Sequence, residues 1–225
     1  MNGTLDITDT ANTPREWSDS LCDLSATEAV RLLRRRELSP LELVDAAIAR
    51  IEAADPIINA LPIRRFESAR AAARDFPKPD AATSEAPGWL AGLPIAVKDY
   101  NDLAGTPTTY GSPIFTGNVA ARSDLTISNL EQRGAIPLAK SNVPEFAGAN
   151  TFNTVFGPTR NPWDPKLSAG GSSGGSAAAL AAGMVWLATG NDLGGSLRIP
   201  ASFWRHRGHA AERRQGTATI LGAAL

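Results

Sequence analysis

A segment rich in glycine and serine, residues 168–176, holds the residue types that could do chemistry in this sequence. It leads into a run of small and apolar residues from Ala177 to Leu187, which predicts a buried helix. A flexible linker does not usually lead into such a run. Glycines ahead of a helix instead let backbone N–H groups approach a ligand closely. We therefore interpret the segment as part of a binding or catalytic site.

Two common motifs fit this segment only in part. A phosphate-binding loop needs Gly-Lys-[Ser/Thr] after its spacer, and no lysine follows Lys166. The run Gly171–Gly175 matches the G-x-S-x-G elbow of α/β-hydrolases, which also needs an acid and then a histidine downstream. The two histidines, His206 and His209, lie close to this run in a stretch without clear periodicity. A serine nucleophile activated without histidine is the remaining alternative.

The residues from Gly170 to Ala201 resemble the signature of the amidase-signature family. They contain a Gly-Gly-Ser-Ser-Gly-Gly tract, a run of small residues, and then Asp-x-Gly-Gly-Ser-aliphatic-Arg-x-Pro-Ala. Ser172 and Ser196 are 24 positions apart, which is the spacing of the family.

Two further segments extend the resemblance upstream. The segment Gly92-Leu-Pro-Ile-Ala-Val-Lys98-Asp99 is similar to the lysine motif of the family, and Gly157-Pro-Thr-Arg-Asn-Pro162 is similar to another family element. The resemblance covers about residues 22–203. Because the motifs are long and occur in order, they are more specific than any short pattern.

The resemblance implies a catalytic set of one lysine and two serines. Ser196 would be the nucleophile that attacks an amide carbonyl, and Lys98 would be the ultimate base. Ser172, which the family holds on a cis peptide bond, would relay the proton between them. The implied reaction is hydrolysis of a linear carboxylic amide through a serine acyl-enzyme, with a small-molecule amide as substrate and no cofactor.

Elementary physical chemistry is consistent with a lysine in this role. A serine hydroxyl is a weak nucleophile until a base takes its proton. An amine accepts that proton only when it is neutral, so the pKa of Lys98 must lie well below its usual value of about 10. Burial disfavours the ammonium form and lowers the pKa. Lys98 ends the apolar segment Leu93–Val97, which favours a buried position.

Residues around the nucleophile are expected to stabilise charge and to fix the loop. Glycine leaves room for a carbonyl to approach backbone N–H groups, so the oxyanion hole is assigned to Leu193, Gly194 and Gly195. Supporting roles, by ion pairs and hydrogen bonds, are assigned to Asp192, Arg198 and Ser173. Asn191 stands where the family often has threonine or serine, and the sequence leaves its role open.

Composition excludes several classes of protein. Of the 225 residues, 43% are apolar and 20% are charged, and the formal net charge of −1 favours neither nucleic acid nor an anionic membrane as partner. Cys22 is the single cysteine, so an internal disulfide is excluded and a reducing, cytoplasmic compartment is expected. No apolar run is long enough for a membrane span. Met1–Trp17 lacks the apolar region of a signal peptide, and no metal site is expected.

Periodicity and capping signals predict an α/β fold, a mixed β-sheet flanked by helices and incomplete at the C-terminus. We divide the chain into a flexible N-terminus (1–20), the N-terminal part of an amidase domain (21–203) and an aberrant tail (204–225). Capping boxes predict helices that begin at Ser25 and Ser39, the second ending at Asp55-Pro56. The remaining expected elements are helices over 67–76 and from 123–124 to 133, a linker over 77–88, and strands over 93–97 and 135–139.

The sequence departs from the family pattern after Phe203. The stretch from Trp204 to Gln215 is basic, whereas the family usually continues with Cys-Gly-Val-x-Gly. Codons for Trp-Arg-His-Arg-Gly, read one base later, permit Gly-Val-Thr-Gly, and we interpret the change as a shift of reading frame near position 204. Two alternatives to a working amidase stay open: an inactive truncated fragment, or a binding module whose basic tail recruits a partner.

Overall fold

The computed structural model describes residues 21–204 and 219–222. The expected flexible N-terminus (1–20) and residues 205–218 and 223–225 of the expected tail lie outside the described residues. Within the described part the fold is a mixed β-sheet flanked by helices, which confirms the predicted class. None of the helices in that part is long and apolar enough to cross a membrane.

Seven helices and seven strands are present in the described part of the chain, together with three short 3-10 turns. The helices are α1 (Ala26–Arg35), α2 (Pro40–Ile58), α3 (Phe66–Arg74), α4 (Ala81–Glu85), α5 (Leu125–Gln132), α6 (Gly174–Ala181) and α7 (Arg198–Trp204). The strands are β1 (Ile63–Arg64), β2 (Pro94–Lys98), β3 (Ile136–Ser141), β4 (Phe152–Asn153), β5 (Gly157–Pro158), β6 (Leu187–Gly190) and β7 (Thr219–Gly222).

Side-chain caps begin the first two helices, as predicted. Ser39 and Glu42 form a complete capping box at α2, with Pro40 in the first turn. At α1 the box is only half formed. Ser25 Oγ accepts from the Glu28 amide at 3.1 Å, but the Glu28 carboxylate accepts two bonds from the guanidinium of Arg31. An ion pair one turn along the helix therefore takes the place of the second capping bond.

The substitution Ser39→Ala is expected to lower the free energy of unfolding by about 1 kcal/mol, because it removes a cap at the start of the longest helix. Denaturant unfolding followed by circular dichroism measures the change. Ser68→Ala, at an exposed position inside α3, is the matched control and should leave stability within about 0.5 kcal/mol of the parent. Equal stability of the two variants would show that the capping box contributes nothing.

Three predicted boundaries were wrong. The helix α2 continues through Pro56 to Ile58 and ends where Asn59 adopts a left-handed conformation, its N–H donating to Asp55 O at 2.7 Å. The helix expected over 177–187 is α6, which begins at Gly174 and ends at Ala181, because the chain turns at 182–186 into β6. The expected linker over 77–88 contains the short helix α4.

The predicted helix over 123–133 is α5, but its cap differs from expectation. Asp124 occupies the N-cap position without a capping bond. Its carboxylate instead accepts from Asn101 Nδ2 and from the Asp102 amide, both at 3.1 Å. The side chain therefore ties the loop after β2 to the start of α5.

The main sheet has the order β1-β3-β2-β6-β7. The three central strands, β3, β2 and β6, are parallel, and the edge strands β1 and β7 run antiparallel to their neighbours. The backbone of β7, from the segment expected to be aberrant, thus covers the outer edge of β6. Both faces of β2 are buried: Ile95 and Val97 pack with Ile127 and Leu130 of α5, whereas Ala96 belongs to the larger core that includes α1–α3 and α6.

The direction of the central strands positions the candidate site. The carboxyl ends of β3, β2 and β6 lie at one edge of the sheet, which is where α/β folds usually bind ligands. Lys98 ends β2 opposite Ser141 of β3, and Gly190 ends β6. Residues that follow these strand ends are thereby brought together.

Candidate active site

The side chain of Lys98 is fully buried at the end of β2, with 0% of its surface exposed. Its Nζ lies 2.8 Å from Ser172 Oγ, 2.8 Å from Ser173 Oγ and 2.5 Å from Asn191 Oδ1. The Lys98 amide donates to Thr189 Oγ1 of the neighbouring strand at 2.8 Å, which holds the strand end in place. Segments 74 and 93 positions away in the sequence thus converge on one amine.

Burial lowers the pKa of Lys98 to about 7. The negative charge of Asp192 acts in the opposite direction and favours the ammonium form, but loss of hydration has the larger effect. Near neutral pH a substantial fraction of this amine is therefore uncharged and able to accept a proton.

Ser172 is held by close backbone packing. The peptide bond between Gly171 and Ser172 is cis, as the resemblance implies. Gly171 packs against the backbone of the preceding loop, since a Cβ there would lie 2.8 Å from Ala149 O. The Ser172 hydroxyl faces Lys98 Nζ and has no other hydrogen-bond partner among the described residues.

Ser196 lies beside this serine pair, and its side chain is partly exposed. Its backbone oxygen accepts from the Ser173 amide at 3.2 Å, which joins the loop before α7 to the segment before α6. Within the described chain no hydrogen bond joins the hydroxyl of Ser196 to that of Ser172. The structure therefore brings the lysine and the first serine into direct contact and places the second serine next to them.

Asp192 organises the loop that carries Ser196. Its carboxylate accepts two bonds from the Arg198 guanidinium at 2.9 Å each, and also accepts from the amides of Gly195, Leu197 and Arg198. The bonds from the Arg198 side chain hold the pKa of Asp192 well below its usual range. The carboxylate therefore stays ionised and fixes the turn.

The backbone amides of this loop differ in availability. The Gly195 N–H is engaged, because it donates to Asp192 Oδ1 at 2.7 Å. The amides of Leu193, Gly194 and Ser196 have no hydrogen-bond partner among the described residues. Leu193 and Gly194 are also exposed, so a substrate oxygen can reach their N–H groups.

A second buried lysine was missed as an interacting residue by the sequence analysis. Lys140 Nζ lies 2.7 Å from Asp99 Oδ1, and both side chains are at most 1% exposed. Lys140 also donates to Pro107 O and Thr108 Oγ1, while Asp99 Oδ2 accepts from Thr109. The Lys-Asp order at 98–99 is the only sequence signal, and it does not reveal that Asp99 pairs with a different lysine.

Tyr100 was also missed, although it follows the lysine motif directly. Lys98 Nζ lies 4.8 Å from the centre of its ring. Its hydroxyl donates to Pro144 O and accepts from the Ala147 amide at 2.5 Å. Burial raises the pKa of Tyr100 to about 12, so the phenol stays neutral near pH 7 and brings no negative charge to the lysine.

No group of three or more histidine, cysteine, aspartate or glutamate residues in 21–204 and 219–222 is arranged to hold a metal ion. What this part of the chain offers is a buried amine of low pKa, adjacent serine hydroxyls and unpaired backbone amides. Together these groups can deprotonate a hydroxyl and stabilise an oxyanion, which is the chemistry of acyl transfer.

This fold and this arrangement of lysine and serines define an amidase-signature protein. The sequence profile of the family described as Amidase matches residues 42–209, so the chain belongs to that family.

Named relatives and solved structures of the family resemble the chain. One of the subunits of glutamyl-tRNA(Gln) amidotransferase is 42% identical over 181 residues in Carboxydothermus hydrogenoformans, and 46% identical over 171 residues in Nitratidesulfovibrio vulgaris. The structure of 6-aminohexanoate cyclic dimer hydrolase complexed with substrate is similar, with a TM-score of 0.75 and 31% identity.

These similarities cover most of this chain but less than half of the relatives. The two sequence matches span 80% and 76% of the chain, and 37% and 34% of the relatives. The structural match spans 89% of the chain and 44% of the hydrolase. The chain therefore spans little more than a third of the length of the curated relatives it matches.

Proposed function

We propose that the chain carries the acyl-transfer centre of an amidase that hydrolyses the C–N bond of a linear carboxylic amide through a serine acyl-enzyme. Ser196 is the nucleophile, Ser172 the proton relay and Lys98 the base. The observation that carries the proposal is the hydrogen bond of 2.8 Å between Ser172 and the buried Lys98 amine. A buried amine with a pKa of about 7 is suited to take a proton at neutral pH.

In the first half of the reaction, the Ser172 hydroxyl gives its proton to Lys98 and takes the proton of Ser196. The Ser196 oxygen bonds to the amide carbon, and the oxyanion lies near the amides of Leu193 and Gly194. The C–N bond then breaks as the nitrogen takes a proton back along the same route. The relay requires the Ser196 hydroxyl to turn toward Ser172, and such bonds often form only with substrate bound.

In the second half, water replaces the amine. Lys98, through Ser172, takes a proton from the attacking water, whose oxygen bonds to the acyl carbon. The bond to Ser196 Oγ breaks, and that oxygen recovers its proton. The products are a carboxylic acid and ammonia or an amine, and no cofactor is consumed.

A second candidate function follows from the names of the curated relatives, which belong to amidotransferases built from several subunits. The same serine chemistry would release nitrogen from an amide for transfer to glutamyl-tRNA, and the chain would then assemble with partner proteins. The products distinguish the candidates: an amidase releases ammonia without glutamyl-tRNA, whereas an amidotransferase forms a new amide on the tRNA-bound glutamate.

Labelling with a fluorophosphonate probe tests the proposal. We expect one serine to be labelled, mass spectrometry to place the label on Ser196, and Ser196→Ala to abolish it. Ser202→Ala is the matched control, because Ser202 is an exposed serine in α7 whose hydroxyl donates only to Ile199 O. Labelling elsewhere, or none with the folded chain, would contradict the proposal and favour an inactive fragment.

A further inference from the structure

The Lys98 amine is surrounded by three oxygen atoms, and its hydrogen-bond inventory limits how they can be used. Ser172 Oγ, Ser173 Oγ and Asn191 Oδ1 all lie within 2.8 Å of Nζ. A protonated amine donates three hydrogen bonds. A neutral amine has two N–H groups and one lone pair, so one of the three oxygens must face the lone pair. Lys98 can act as base for the relay only if that oxygen belongs to Ser172.

Two of the three neighbours are restricted to accepting. The Ser173 hydroxyl donates its single hydrogen to the backbone oxygen of Asn191 at 3.4 Å, so toward Lys98 it can only accept. The amide oxygen Asn191 Oδ1 carries no hydrogen and can only accept. The Ser172 hydroxyl is the one donor left, because its hydrogen has no other partner among the described residues.

We propose that Asn191 is a positioning residue for the base: its side-chain oxygen accepts one N–H of Lys98, so that the lone pair of the neutral amine faces the Ser172 hydroxyl. The inference rests on the proposed function, in which Lys98 is the base. A hydroxyl in place of this amide could rotate and donate to the lone pair, whereas the amide oxygen cannot. The short distance of 2.5 Å makes Asn191 Oδ1 the nearest of the three acceptors.

The other charged and titratable groups around the amine come from several elements. Asp192, beside Asn191, favours the ammonium form. Asp99, next to Lys98 in the chain, is paired with Lys140 of β3. Tyr100 presents the face of a neutral ring. A substitution at Asn191 therefore changes one contact of the amine against a defined electrostatic background.

The pKa of Lys98 can be measured directly in this chain, which contains only four lysines. A pH titration of ¹³Cε-labelled lysine by NMR follows each amine, and Lys98→Met assigns its signal. Asn191→Leu removes an acceptor of the ammonium, so the pKa of Lys98 should fall by about one unit. Asn191→Asp keeps the shape but places a negative charge beside Nζ, so the pKa should rise by about one unit or more.

The rate at which the fluorophosphonate labels Ser196 provides the second readout. In Asn191→Leu the rate at high pH should fall roughly tenfold, because the lone pair is no longer directed at Ser172. The pH midpoint of labelling should move down in Asn191→Leu and up in Asn191→Asp. Asn129→Asp adds the same charge at an exposed position of α5 and should move neither the pKa nor the midpoint.

The outcomes separate this inference from the proposed function. An unchanged Lys98 pKa in both Asn191 variants overturns the inference, even if Ser196 is labelled normally. Shifts in opposite directions support the contact between Asn191 and Lys98, even if Ser196 is never labelled, in which case the proposed function fails. A purely structural role would lower folded yield or rate without moving the pKa in two directions.

Discussion

Replacing Lys98 with methionine is expected to slow acylation of Ser196 by roughly 10²–10⁴-fold, the usual contribution of a general base. Methionine fills a similar volume but cannot accept the proton that Ser172 must lose. The side chain is fully buried and its amine faces Ser172 at 2.8 Å, so solvent does not easily substitute for it. The rate of fluorophosphonate labelling, measured by intact mass, tests this expectation.

The dependence of that rate on pH follows from the sign of the pKa shift. Lysine is a base only when neutral, and its neutral fraction grows as pH rises through the pKa of about 7. Below pH 7 the labelling rate should therefore fall about tenfold per pH unit, and above the pKa it should level off. Lys166→Met, at an exposed position, should keep the profile of the parent. A flat profile through pH 7, or labelling of Lys98→Met at the parental rate, would contradict the role of Lys98.

The substitution Gly175→Ala is expected to destabilise the protein by about 3 kcal/mol, at the upper end of the cost of overpacking. A Cβ at this position would lie 2.4 Å from Asn142 O, 2.6 Å from Asn142 N and 3.0 Å from Ala60 O. All three atoms belong to the backbone, so no side chain can rotate away. Because Gly175 is inside α6, helix propensity favours alanine by about 1 kcal/mol, and the clash outweighs this gain.

Denaturant unfolding compares Gly175→Ala with Gly117→Ala, for which a Cβ has no neighbour within 4 Å. The control is expected to change stability by no more than about 0.5 kcal/mol. If Gly175→Ala proved as stable as the parent, the backbone contact between α6 and the loop after β3 would be looser than the structure shows.

Local features could be predicted from the sequence wherever a short segment determines them. The capping box of Ser39 and Glu42 formed because its partners are three residues apart. The buried position of Lys98 followed from the apolar residues before it. The ordered motifs around Ser172 and Ser196 identified the family, which the match over residues 42–209 confirms.

Contacts between distant segments were decided only by the tertiary structure. Asn191 Oδ1 meets Lys98 across 93 positions of sequence, and Asp99 pairs with Lys140 rather than with the lysine beside it. The Gly195 amide turned out to serve Asp192, although its glycine had indicated an oxyanion donor. The physical reason is the same in each case: residue type determines what a side chain can donate or accept, but packing of the parallel strands and their loops determines which partner it meets.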